Sequence, residues 1–309
     1  MNQSSHSSQA SHSGLTVEAP DLRSNALMGA IYMILAGLAF ALVNLATQYL
    51  TMRMGLSSPV VAFGQYFVAL LISLPWLLRT GLAAARTQYL WRHILRVVFA
   101  VLGVQAWMAG LAHVPIWQAI ALIMTSPFFV TLGASLLLKE KIGLHRLTAT
   151  IVGFVGGMII LAPWSDAFSW HALWPVGAAI FWAATSLMTK QLTAAEAPAT
   201  VTVYLLLLMT PINGLLAVGS GWVIPGGMAL VIILASGLLV YIAQLLIARA
   251  YSVADAAYVQ PFDHVKLPIN VMAGWLAFGF APVGYFWPGA LLIVAASLYI
   301  LHREAAARD

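Results

Sequence analysis

The sequence predicts an all-α membrane protein: ten transmembrane helices, built as two inverted five-helix repeats around a central cavity. Three observations carry that expectation. Hydrophobic residues make up 62% of the 309 and charged residues only 7%, whereas a soluble domain carries about a quarter of its residues charged. Most of the surface must therefore face lipid rather than water. Apolar stretches recur at the length that crosses a bilayer, about 20 residues each. The basic residues then fall almost entirely on one side of the resulting topology, as the cytoplasmic face requires.

The chain opens on Met1 to Ser24, a segment rich in Ser, His, Gln and Ala that reads as a disordered cytoplasmic tail. It lacks the short apolar core of a secretory signal, and its His6 and His12 read as solvated side chains. Spans follow at 25–48, 58–78, 93–112, 115–138 and 145–163, then at 170–190, 200–219, 227–249, 254–279 and 284–301. Short connections carrying Gly55, Pro115, Pro163, Gly221, Pro225 or Pro282 separate them and leave no extramembranous domain. Residues 302–309 form a cytoplasmic C-terminal tail.

Charge tests this count independently. With the N-terminus cytoplasmic, the inner side receives Arg23, Arg79, Arg86, Arg92, Arg96 and Lys139, together with Lys141, Arg146, Lys190, Arg249, Arg303 and Arg308. The outer side receives Arg53 alone, and Lys266 falls inside a span. One span too many or too few would swap the later loops and blur this asymmetry, so both termini are expected on the cytoplasmic side of a bacterial inner membrane.

Composition also excludes classes. The net charge of +5 and the pI near 9.6 come from basic residues scattered singly between apolar runs, which points to no nucleic-acid partner. There are no cysteines, hence no disulfide and no thiolate metal site; no metal or cofactor is expected. The chain has no Gly-x-x-x-x-Gly-Lys phosphate loop, no His-Glu-x-x-His and no Gly-x-Ser-x-Gly. Asp263 is the one acid well inside a span, leaving a two-carboxylate mechanism without its second member. An intramembrane enzyme is the remote alternative.

Spans one to five run from inside to outside and spans six to ten from outside to inside, the plan of an inverted repeat. Leu45, Thr47 and Leu50 match Leu187, Thr189 and Leu192 at a constant offset, and Pro-Phe recurs in the fourth span of each half, at Pro127-Phe128 and Pro261-Phe262. Residues 25–163 and 164–301 are the expected repeats.

A resemblance to a known family becomes specific at Ser126-Pro127-Phe128. It continues through Leu136-Leu137-Leu138-Lys139-Glu140-Lys141-Ile142-Gly143 and Gly153-Phe154-Val155-Gly156-Gly157 to Pro163. In the second half, Ala250-Tyr251 to Ala257, Pro261-Phe262 and Gly274-Trp275-Leu276-Ala277-Phe278-Gly279 follow the same pattern. The chain resembles EamA-type transporters of the drug/metabolite transporter superfamily from about Asn25 to Leu301. That resemblance implies ten helices around a cavity and transport of amino acids, vitamins, nucleotide-like metabolites or drugs. Relatives carry a Glu after the second Phe-Gly where this chain has Phe280, so the chain either manages without that Glu or uses the first-half copy, Glu140, which the resemblance makes one gating candidate.

Polar groups inside spans are costly and mark cavities or partners. The ninth span is richest, with Tyr258, Gln260, Asp263, His264, Lys266 and Asn270 between Pro261 and Pro268. Each proline removes a backbone donor, so the freed carbonyls need partners or water. Asp263, His264 and Lys266 are candidates for coupling or gating, with proton coupling through the acid or the imidazole as one option. Asp263 and Lys266 are also three residues apart, able to pair on one helical face as a purely structural bridge. Candidate substrate contacts are Asn44, Gln48, Gln65, Tyr66, Gln105, Trp107, Trp182, Ser186, Tyr258 and Gln260. Amides there suit a zwitterion or a heterocycle, though for any one amide taken alone interhelical hydrogen bonding is the better reading. Spans four and eight add Gln118, Thr125, Tyr241 and Gln244. Trp76, Trp91, Trp164, Trp170 and Trp287 read as interfacial anchors.

The expected function is secondary transport of a small organic molecule across the lipid bilayer, with export of amino acids or related metabolites as the leading reading. The alternative is uptake of a heterocyclic nutrient such as riboflavin, a nucleoside or S-adenosylmethionine. The oligomeric state stays open.

Overall fold

The computed structural model describes residues 22–80, 86–111, 113, 116–139, 143–162, 164, 168–279, 282 and 284–306. Among these there is no strand, as a lipid-embedded backbone that must satisfy its own hydrogen bonds dictates. The helices are α1 (Leu22–Gln48), α2 (Ser58–Thr80), α3 (Leu90–Leu111), α4 (Ile116–Ile123), α5 (Ser126–Leu137) and α6 (Leu144–Leu161). They continue as α7 (Leu173–Thr193), α8 (Pro198–Gly219), α9 (Gly227–Val253), α10 (Ala256–Val259), α11 (Lys266–Phe278) and α12 (Phe286–Ala306). Among the described residues six stretches are long and apolar enough to cross a membrane: Asn25–Arg53, Ser58–Arg79, Trp117–Leu137, Trp170–Thr193, Pro198–Gly219 and Gly227–Val253.

Two expected spans are broken. The fourth divides into α4 and α5 just before Pro127, which takes a first-turn position in α5 where its missing N–H costs no helical hydrogen bond. Thr125 sits in the break and donates its hydroxyl to the Leu122 carbonyl at 2.6 Å. The ninth divides into α10, a 3₁₀ segment Gln260–Val265 and α11. Pro261 falls at the start of that tighter turn, and Pro268 is in the first turn of α11.

The ends also differ from expectation. The helix α1 begins at Leu22, so the last three residues assigned to the tail are helical, and α12 runs on to Ala306. Residues 1–21 and 307–309, with the rest of both expected tails, lie outside the described residues. So do Glu140, Lys141 and Phe280.

Packing sorts the helices into pairs. The helix α1 lies along α9, α3 along α7, and α2 against both α8 and α9, while α5 rests on α7 and α6 on α12. Leu50 and Leu192, matched between the two halves of the sequence, are both wholly buried. Outward faces stay apolar: Leu78, Leu215 and Leu276 are among the most exposed side chains, as a lipid-facing surface requires. Trp91, Trp164, Trp170 and Trp287 are exposed near helix ends, where an interfacial belt places them.

Candidate functional site

The helices enclose a cavity of about 1140 Å³, counting its open mouth. Its walls come from α1, α2, α3, α7, α8 and α9 and from the two broken elements. Breaking those elements exposes polar groups at mid-bundle that a continuous apolar helix would not offer.

The helix α3 presents one face to the cavity through Arg96, Ala100, Val104 and Trp107, at the three- and four-residue spacing of a helical stripe. Trp107 meets Trp182 of α7 with ring centroids 6.0 Å apart, tilted by 44°. The space for Trp182 exists because Gly103 has no side chain: a Cβ there would lie 2.6 Å from the indole. From α7, Thr185, Ser186 and Thr189 add hydroxyls. The Thr185 hydroxyl donates to the Phe181 carbonyl at 3.0 Å and that of Thr189 to the Thr185 carbonyl at 2.7 Å, so both keep acceptor capacity. Asn44 enters from α1 and Gln244 from α9.

The ninth-span break supplies the opposite charges. Lys266 and Asp263 form an ion pair, each side chain about one-sixth exposed or less. Asn270 donates to the Lys266 carbonyl at 2.7 Å. The Tyr251 hydroxyl donates to the Gln260 amide oxygen, joining α9 to the 3₁₀ segment.

Of the residues singled out by sequence, Asn44, Tyr66, Trp107, Trp182, Ser186, Gln260, Asp263 and Lys266 line the cavity. Gln48 is buried away from it. Gln65 instead bridges helices, its amide donating to Thr47 Oγ1 at 3.0 Å and Ser236 Oγ at 3.1 Å. Gln105 is exposed on the outer side of α3. Tyr258 is buried against Phe262, with centroids 5.4 Å apart. The side chain of His264, like all of Glu140, lies outside the described residues.

Sequence reasoning counted Arg96 and Lys190 among the charges of the cytoplasmic face, with Lys190 also a polar group of the sixth span, and the structure shows what each side chain meets. Arg96 is 2% exposed and faces the cavity. Lys190 donates to the carbonyls of Tyr251 at 3.1 Å and Ala254 at 2.6 Å, satisfying the end of α9. Tyr251, Thr185 and Thr189 were also missed. Arg96 had one available signal: it is four residues before Ala100 and eight before Val104 on an otherwise apolar face.

The EamA-like transporter family pattern matches residues 27–162. The chain is 58% identical to a protein of Rhizobium johnstonii named riboflavin transporter, over 91% of this chain and 93% of that one. It is 50% identical to a Vibrio cholerae protein of the same name, over 92% and 96%. A protein of known crystal structure, 18% identical, superposes with a TM-score of 0.69 over 92% of this chain and 99% of its own, which speaks for the fold alone. With such identity along nine-tenths of its length, the chain belongs to the EamA-like transporter family: a multi-pass membrane protein that moves a small molecule.

Proposed function

We propose that this protein takes up riboflavin, or a closely similar flavin, across a bacterial inner membrane. The carrying observation is the cavity wall itself, which sets an indole pair beside a set of amides and hydroxyls. The face of Trp107 and Trp182 suits a flat fused ring. Asn44, Ser186, Gln244 and Gln260 suit a polyhydroxylated tail, because each can donate and accept without the penalty of a buried charge. Relatives at 58% and 50% identity that are named riboflavin transporters favour this over amino-acid export, the leading expectation from sequence. Asp263 and Lys266 serve as the coupling element in this scheme, with a proton on Asp263 as the simplest driver.

The transport path follows from two inverted repeats of five spans, with both termini cytoplasmic. Helix pairing supports the repeat: exchanging each span with its counterpart five places on turns the α1–α9 pair into α7–α3 and leaves α6–α12 unchanged. The broken fourth and ninth spans are counterparts under the same exchange. Alternating access then comes from rocking one repeat against the other around the mid-bundle breaks.

Purified protein in liposomes, loaded with riboflavin and offered labelled riboflavin outside, is expected to exchange the label. Labelled amino acids and S-adenosylmethionine are expected to stay outside. Counterflow of amino acids alone overturns the assignment. Labelling single introduced cysteines near residues 86 and 302 tests the topology, which fails if those two sites face opposite compartments.

A further inference from the structure

Arg96 is fully buried, yet no carboxylate among the described residues pairs with it. Its Nη1 donates to the Val201 carbonyl of α8 at 2.9 Å, while the buried Nε has no partner. Ion pairs among the described residues join His93 to Glu196 and Lys266 to Asp263, and neither carboxylate reaches Arg96. The groups facing it are the phenols of Tyr66 and Tyr251, with the Gln244 amide beside Tyr66. A guanidinium does not deprotonate in proteins. Burying one without a counter-charge is costly, most of all within a bilayer. Such a group is well explained where a ligand completes its hydrogen bonds.

The bond to Val201 also fixes which edge remains. With Nη1 committed and the buried Nε unpartnered, the edge a ligand can complete is Nε–Nη2, a planar fork of two parallel N–H donors shaped for two adjacent acceptors once the side chain turns it to the cavity. A carboxylate meets that requirement, and so does a heterocycle with a ring nitrogen next to a carbonyl. The rest of the α3 face separates them. Trp107 lies eleven residues beyond Arg96, about three turns or roughly 16 Å along the helix. One wall therefore carries a cation at one end and an indole at the other, which a small amino acid does not span. A flavin has both features: an imide ring with adjacent nitrogen and carbonyl acceptors, and an apolar dimethylbenzene end.

We propose that Arg96 reads the polar ring edge of the substrate, with Nε–H and Nη2–H donating side by side to a ring nitrogen and its neighbouring carbonyl oxygen. This assignment rests on the riboflavin reading and deepens it. It also gives a basis for rejecting fixed cations: with Asp263 matched by Lys266, the cavity keeps one uncompensated positive charge, which opposes a sulfonium such as that of S-adenosylmethionine.

The test crosses protein variants with flavin analogues, using quenching of flavin fluorescence by purified protein in detergent to read affinity. Sulfur is a weak acceptor, so 2-thioriboflavin or 4-thioriboflavin is expected to bind wild-type protein about tenfold more weakly than riboflavin. An 8-chloro analogue, altered at the apolar end, is expected to bind nearly as well as riboflavin. Arg96→Gln and Arg96→Lys are expected to lose about tenfold or more for riboflavin and to stop distinguishing oxygen from sulfur. Unchanged riboflavin affinity in both variants, or a sulfur penalty that survives in Arg96→Gln, overturns the assignment of Arg96 while leaving riboflavin as the substrate. Should Arg96→Gln fail to fold, wild type and Arg96→Lys still decide: wild-type indifference to sulfur at both positions overturns it. Wild-type protein that binds no riboflavin overturns both the substrate and the residue.

Discussion

Glu196, in the turn between α7 and α8, lies 2.8 Å from Nε2 of His93 in the first turn of α3. Thr87 donates its hydroxyl to the same carboxylate, and the Tyr204 ring stacks on His93 at 4.4 Å. His93 is 1% exposed. This cluster lies apart from the cavity and joins the entry of α3 to the second half of the chain.

Glu196→Ala is expected to destabilise the protein by roughly 1–3 kcal/mol, because it leaves the buried His93 and the half-buried Thr87 hydroxyl without their acceptor. Glu196→Gln retains an acceptor and is expected to cost less. Thermal unfolding of the purified variants in one detergent checks the order, and an alanine variant as stable as wild type refutes it.

Gln65 is expected to matter for assembly and not for recognition. Gln65→Leu removes a tie among α1, α2 and α9, worth roughly 0.6–1.7 kcal/mol by comparison with other membrane bundles. The melting temperature is expected to fall while the KM for riboflavin stays within about twofold. A selective rise in KM at unchanged stability would place the amide back at the substrate.

Gly103→Ala tests the indole wall without touching an indole. The added methyl meets Trp182 at 2.6 Å, so the ring must shift from its position against Trp107. The expected result is a KM for riboflavin raised by about threefold to tenfold, with normal membrane insertion, as for a lost aromatic contact of about 1 kcal/mol. Wild-type KM in this variant separates the tryptophan pair from the substrate.

Asp263→Asn leaves Lys266 as a second unmatched cation in the cavity. Transport is expected to drop by about tenfold or more, since breaking a buried pair costs several kcal/mol, while insertion stays intact. Adding Lys266→Met to the same variant removes the stranded ammonium and is expected to restore folding stability but not coupled transport. Full uptake by Asp263→Asn between pH 5 and 8, read in proteoliposomes, removes the acid from coupling.

Much of this architecture can be read from the chain because lipid imposes so few solutions. Apolar length locates the helices, and the two Pro-Phe pairs fall where the fourth and ninth spans break, although Pro75 and Pro211 sit inside the unbroken α2 and α8. The cavity is less legible because it depends on rotation about each helix axis. Gln65, Gln105 and Gln244 are chemically identical, yet one ties helices together, one faces outward and one lines the cavity. Arg96 and Lys190 show the limit of counting charges along a chain. Each lies near the end of an apolar run, and only the folded structure shows that one turns into the cavity and the other onto the end of α9.

The contact between α6 and α12 constrains how the molecule moves. A Cβ on either Gly156 or Gly289 would sit 2.6 Å from the other residue's carbonyl oxygen, so the two backbones touch with no cushion of side chains between them. Ile293 and Ile160 close over the two glycines from the opposite helices, each within 3.0 Å of where a Cβ would stand. Because α6 belongs to the first repeat and α12 to the second, rocking of one against the other is expected to pivot at this contact. Probes placed beside Gly156 and Gly289 would then record the smallest change in distance between the two halves.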